Sequence, residues 1–245
     1  MLKRCFIRFY GDLKDLLPEE KRKQYEISFT VSPGIKDIVE SEGVPHTEVE
    51  FITVNGNPVP WTYRVKDNDY IAVYPFFKSI SIKSESKIIE KNYPEGIFIL
   101  DVHLGKLAKY LRLLGFDADY KREWDDPKII EIAIREKRII LTRDRGILKN
   151  NKVKYGYLIR HTQSTEQVKE VLERFNLKDK IKPFTRCLEC NETILPVSKQ
   201  EVLEDIEENA RLYYNEFFKC KGCKKVYWKG SHYSRMIDKL KMFMD

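Results

Sequence analysis

The 245-residue sequence predicts a multidomain chain of mixed class: α+β at the front, α/β in the centre and a small cysteine-clamped unit at the end. Three observations predict it. Residues 97–148 alternate short apolar runs with amphipathic stretches in the order strand, helix, strand, helix, strand, which implies parallel pairing. Residues 1–78 run strand, strand, helix, strand, strand, with turn residues between them. Cys187-x-x-Cys190 and Cys220-x-x-Cys223 place two thiol pairs in the last quarter of the chain.

The first unit, 1–78, opens with an alternating strand over Lys3–Tyr10 and a second over Tyr25–Val31. Pro33-Gly34 starts a helix that carries Ile35, Ile38 and Val39. Glu50–Val54 is a strand that ends in the Asn55-Gly56-Asn57 turn, and Asp67-Asn68-Asp69 turns into a last strand over Tyr70–Pro75. This is a ubiquitin-like β-grasp order. V-N-G-N-P-V and D-N-D-Y-I-A-V-Y-P-F-F resemble the small sulfur carriers of molybdopterin and thiamine synthesis, which act through a free terminal Gly-Gly. Here Phe76-Phe77-Lys78-Ser79 follows instead. The expected role is therefore docking of a protein partner or positioning of a substrate. Cys5 lies in an apolar strand and reads as a small buried hydrophobe. Residues 79–96 are polar and read as a linker, with one short strand at Ser86–Glu90.

The central unit, 97–183, begins with Ile97-Phe98-Ile99-Leu100, stopped by Asp101. Leu104, Leu107, Ala108, Leu111 and Leu114 then recur at helical spacing, and Gly115 ends the helix. Phe116–Tyr120 is a second strand. Pro127 at the first helical position makes Asp126 the expected N-cap, and Ile129, Ile130, Ala133 and Ile134 are the expected buried side. Ile139-Ile140-Leu141 is a third strand, stopped by Thr142-Arg143-Asp144, and Tyr155–Ile159 a fourth. Ser164 with Gln167 reads as a capping box, ahead of Val168, Val171, Leu172 and Phe175. Asp101 and Asp144 fall just past the carboxyl ends of parallel strands, where open α/β sheets hold ligands. Paired carboxylates there suit a hard cation, Mg²⁺ or Mn²⁺. The bases around them, Lys106, Lys109, Arg112, Arg143 and Arg145, suit a polyanion.

L-D-x-x-L-G-x-L-A-x-x-L-R-x-L-G-F-D, followed by L-T-R-D-R-G-x-L, closely resembles the PIN-type RNase domain of the Mut-seven C-terminal family. Members append a zinc ribbon, and some carry a ubiquitin-like domain in front. The resemblance implies a metal-dependent endoribonuclease with Asp101 and Asp144 as ligands. It adds Asp126, through D-x-x-I-x-x-x-A, as the third acid, with Asp125 beside it. The family pattern also has a fourth acid on an intervening helix. Leu114–Asp125 is too short for that helix, which leaves Asp117, Asp119 or Glu123 as substitutes, or a site of three acids.

The last unit, 184–245, is a zinc ribbon with a basic C-terminal helix. Cys187, Cys190, Cys220 and Cys223 form a closed set of four thiolates for structural Zn²⁺. The 29 residues between the pairs exceed the usual spacing, and an acidic helix over Gln200–Arg211 accounts for the excess. Lys224, Lys225, Tyr227 and Trp228 combine cations with stacking rings, which suits RNA with single-stranded regions. Trp228 serves equally as ribbon core. Ile237, Leu240 and Met244 share one face of the terminal helix.

Net charge is +7, with a pI of about 9.0, and the excess is uneven. Residues 97–178 carry +6 and residues 219–241 carry +7, so the rest is acidic. No apolar run reaches membrane-spanning length and no signal peptide precedes the first strand. Paired Cys-x-x-Cys motifs fit metal in a reducing cytoplasm better than disulfides. The rival reading is a non-catalytic RNA-binding adaptor whose β-grasp unit docks a partner while the acids cap helices.

Overall fold

The computed structural model describes residues 1–76 and 94–244. The strand expected at Ser86–Glu90 lies outside the described residues. Among those described, one compact unit holds 1–76 with 144–158, and a second holds 94–143 with 159–244.

In the first unit, β1 (Lys3–Phe9) alternates so that Cys5, Ile7 and Phe9 are buried. It pairs antiparallel with β2 (Tyr25–Phe29) and parallel with β5 (Asp69–Pro75). Strand β3 (Val49–Val54) lies antiparallel to β5 and turns through Asn55-Gly56 into β4 (Asn57–Val59). The mixed order β2-β1-β5-β3-β4, with helix α1 (Ile35–Ser41) after β2, is the β-grasp arrangement. Helix α1 buries Ile35, Ile38 and Val39 as its spacing predicts. Burial pushes the Cys5 thiol up to about 11, assisted by the charges of Asp69 and Glu26, so it packs as an uncharged apolar group. Three short 3-10 turns, Gly11–Leu16, Glu19–Lys21 and His46–Glu48, were not foreseen.

In the second unit, β6 (Ile97–Leu100) is flanked by β7 (Asp117–Asp119) and β8 (Ile139–Thr142), both parallel to it. Helix α2 (Gly105–Leu113) connects β6 to β7, and α3 (Asp126–Glu136) connects β7 to β8. Helix α2 closes in a Schellman motif. The Phe116 N–H reaches Leu111 O at 2.9 Å and the Gly115 N–H reaches Arg112 O at 3.0 Å. Gly115 has φ +94°, and a Cβ there would stand 2.1 Å from Lys182 O, so only glycine fits.

Helix α3 departs from expectation twice. Its N-cap is Asp125, whose side chain accepts from the Lys128 N–H at 3.0 Å, and Asp126 is already helical with Pro127 second. Ile134 is 49% exposed, while Ile132 is buried in its stead. The apolar stripe centres on Ile129 and Ala133, and Ile134 falls beyond its edge.

After β8 the chain forms α4 (Arg145–Lys149) and β9 (Gly156–Leu158), both in the first unit. Helix α5 (Ser164–Arg174) returns to the second unit, burying Val168, Val171 and Leu172, with Phe175 against Phe98. The expected capping box is absent. Gln163 is the N-cap without a side-chain bond, and the Gln167 amide donates instead to His161 O at 3.0 Å.

The cysteine-bearing part is a three-stranded antiparallel sheet of β10 (Ile194–Val197), β11 (Phe217–Cys220) and β12 (Val226–Trp228). The insert is not one helix. It is a 3-10 turn, Gln200–Asp205, then α6 (Glu208–Tyr213), broken where Ile206 turns extended. The break lets Val202, Ile206 and Ala210 close together on Phe217. Helix α7 (Ser231–Met244) buries Leu240 and Phe243, and the Met244 side chain is outside the described residues.

Candidate nuclease cleft and cysteine cluster

Asp101 ends β6 and is 4% exposed. Its Oδ1 accepts the His103 N–H at 2.8 Å, which caps the 3-10 turn Val102–Leu104. Its Oδ2 accepts the Thr142 hydroxyl and the Arg143 N–H, the latter at 2.9 Å. A carboxylate offers about four lone-pair sites, so three are taken and one on Oδ1 is left. That fits a monodentate metal ligand whose orientation is already set. Thr142, fully buried on β8, is the orienting residue that the sequence did not single out. Its position directly before Arg143-Asp144 was the available signal.

A polar cleft of about 430 Å³ is lined among others by His103, Lys106, Arg143, Thr162, Ser164 and Thr165. Three lining side chains carry or can carry positive charge, and no carboxylate is among the lining residues. Hydroxyls and the N-terminal turn of α5 complete the wall, so the cleft is suited to an anion. The sequence identified Lys106 and Arg143. It missed residues 162–165, which reach the cleft only because α5 packs on α2.

Of the other proposed acids, Asp125 and Asp126 lie exposed at the start of α3. Asp144 is exposed and caps α4, accepting the Gly146 N–H at 2.6 Å. Among the described residues, the four cysteines are the one group of three or more metal-ligating side chains close enough to share an ion. Of the substitutes considered for a fourth acid, Asp117 and Asp119 are otherwise engaged and Glu123 is exposed. Asp117 binds Arg138 at 2.6 Å, Arg186 at 3.2 Å and the Asn191 amide at 2.7 Å, and Asp119 accepts the Tyr120 N–H.

Lys109 is exposed on α2. Arg112 is not. It is 3% exposed, and its guanidinium donates to Ala118 O at 2.8 Å, Leu188 O at 3.0 Å and Glu189 O at 2.9 Å. Its charge serves carbonyls of the first cysteine turn, so it leaves the RNA-contacting set. Arg145 is also diverted, donating to Leu16 O at 2.9 Å in the β-grasp unit.

The Sγ atoms of Cys187, Cys190, Cys220 and Cys223 lie within 4.8 Å of one another. The separations of 3.6 Å for Cys187–Cys223 and 3.3 Å for Cys190–Cys220 sit near the ~3.8 Å that tetrahedral thiolates at about 2.3 Å from zinc require. Burial opposes ionisation of Cys187. The Tyr227 hydroxyl and the N–H groups of Cys190 and Glu189 outweigh it and bring the thiol down to about 7. The set fits Zn²⁺. Tyr227 thus spends its hydroxyl on Cys187, at 3.0 Å. Trp228 packs on the ribbon core, 6.4 Å from the Phe217 ring, so it is core first. Lys224 and Lys225 are exposed, with Lys225 3.1 Å from Glu189.

A mixed β-grasp sheet, a parallel α/β sheet and a four-cysteine ribbon define a three-part chain. Residues 97–240 match the family model described as the Mut7-C RNAse domain, and residues 2–81 match that described as Mut7-C ubiquitin. The chain belongs to the Mut7-C RNase family. No curated protein and no solved structure matches it. No helix among the described residues is long and apolar enough to cross a membrane.

Proposed function

We propose that this chain is a PIN-type, Mg²⁺- or Mn²⁺-dependent endoribonuclease acting in a reducing, cytoplasmic setting. The observation that carries the reading is the buried carboxylate of Asp101, oriented by the Thr142 hydroxyl and the Arg143 N–H, together with a cationic cleft lined by His103, Lys106 and Arg143. In this reading Asp101, Asp126 and Asp144 would be the metal ligands, with Asp125 beside them, a set taken from the family resemblance; as they stand they are not grouped closely enough to share an ion. Bound Mg²⁺ or Mn²⁺ supplies an activated water and neutralises the leaving oxygen. Lys106 and Arg143 hold phosphates in the cleft, and Lys109 extends the cationic face. The ribbon carries structural Zn²⁺ and presents Lys224 and Lys225 to RNA. The β-grasp domain serves as a protein-docking element.

The test is Asp101→Asn. Removing the charge lowers single-turnover cleavage of a labelled RNA by at least about 100-fold with Mn²⁺ or Mg²⁺, while the protein still melts cooperatively. Undiminished cleavage by the folded variant sinks the reading. The caps made by Asp125 and Asp144 favour the second reading, an RNA-binding adaptor without catalysis, and that reading expects RNA affinity with no metal-dependent cleavage.

A further inference from the structure

We infer that the β-grasp domain is a built-in scaffold that positions the segment carrying Asp144, in addition to any partner it docks. The role assigned to Asp144 rests on the nuclease reading above. The scaffold itself rests on geometry within the first unit.

Segment 144–158 has little structure of its own. Helix α4 is 5 residues long and β9 is 3, both too short to persist alone. The β-grasp side contributes to their order. The Glu48 carboxylate, 2% exposed, accepts the Leu158 N–H at 2.7 Å. His46, 7% exposed, reaches Val153 O through Nε2 at 2.9 Å while Nδ1 meets Glu40 at 2.6 Å. Gly156 is packed against the segment's own Leu148, 2.4 Å from where a Cβ would stand, and makes ordinary contact with Thr47 at 3.6 Å.

The dependence is reciprocal. Helix α1 has no basic residue in its last turn, where a cation would complement its carbonyls. The segment supplies one there, Lys149, and a second donor, Arg145, to carbonyls outside the helix. Lys149 Nζ donates to Glu40 O at 2.5 Å, and Arg145 donates to Leu16 O at 2.9 Å and Gly43 O at 3.4 Å. Arg145 and Lys149 bracket α4, whose N-cap is Asp144. The domain at the front of the sequence thereby sets the backbone that holds an acid far along the chain. His46, Glu48 and Lys149 are positioning residues in this sense.

The test uses the full chain. Glu48→Ala removes the acceptor for Leu158, Glu48→Gln retains an oxygen there, and Lys149→Met removes a cap without burying a new group. Amide exchange by mass spectrometry is read over 145–158 and over the strands Lys3–Phe9 and Ile97–Leu100. Expected is exchange about tenfold faster or more in 145–158 for Glu48→Ala and Lys149→Met, with both strands unchanged and Glu48→Gln close to the parent. Cleavage by the same variants should need about tenfold more Mn²⁺ for half-maximal rate, with KM for RNA unchanged. Unaltered exchange in 145–158 overturns the scaffold. Faster exchange with an unaltered Mn²⁺ requirement overturns the positioning of Asp144. If the parent chain cleaves no RNA, the nuclease reading fails by itself and exchange still decides the scaffold.

Discussion

Asp117 shows how a residue that reads as a spare catalytic acid becomes structural. Burial would raise its carboxyl. The hydrogen bonds from Arg138 and Asn191 and the charges of Arg138 and Arg186 outweigh that effect and hold it below the usual carboxylate range. A folded value below the unfolded one means that the unfolded chain binds more protons in acid. The stabilisation is therefore complete above the ordinary carboxylate pKa of about 3.9 and is lost as pH falls through the depressed value. Asp117→Ala leaves Arg138 and Arg186 short of a partner and should cost about 3 kcal/mol at pH 7. The difference between parent and variant should shrink as pH falls below the ordinary carboxylate range. Urea melts at several pH values check this, and a pH-independent difference would remove the ion-pair account.

At the scale of elements, the ribbon is the part most dependent on a ligand. Its own core is Val202, Ile206, Ala210 and Phe217 with a few half-buried neighbours, too little to order some fifty residues without a clamp. Zinc held by four thiolates contributes on the order of 10 kcal/mol in such modules. Cys190→Ser should release one zinc per chain, measured by elemental analysis. The consequence should not stop at the ribbon. The buried guanidinium of Arg112 would lose its Leu188 and Glu189 carbonyls, and Asp117 would lose the Asn191 amide. The α/β sheet should therefore melt at lower temperature as well. Protein purified without chelator that contains no zinc would refute the metal assignment, and an unchanged sheet would refute the coupling.

At the scale of the whole molecule, the charge distribution points the nuclease and ribbon parts toward a polyanion. Residues 219–241 carry a net +7, and the pair Lys225–Glu189 is half exposed, so it constrains the lysine weakly. Changing Lys224 and Lys225 together to Ala should weaken binding to different single-stranded RNAs alike. The log–log salt slope should flatten by roughly 0.7 for each phosphate that is no longer neutralised. Filter binding at several salt concentrations measures it, and an unchanged slope would move the RNA surface elsewhere.

The sequence alone determined what depends on near neighbours. Period-two alternation marked β1, period-3.6 spacing marked α2, Gly115 marked a helix end, and the two Cys-x-x-Cys pairs marked the four-cysteine cluster. Asp101 was legible for the same reason, because an apolar strand stops at it. The N-caps of α3 and α5 were misplaced because several neighbouring residues can cap, and one residue's shift depends on packing. Only tertiary structure decided the fate of charges whose partners lie far along the chain. Arg112 looked like a surface arginine until carbonyls 76 and 77 residues away took it. Segment 144–158 read as part of the α/β unit, and what the sequence did not show is that Glu48, 110 residues before Leu158, accepts its N–H. The physical reason is that hydrophobic periodicity encodes which face is buried, whereas a buried charge is set by whichever distant backbone group packing brings within reach.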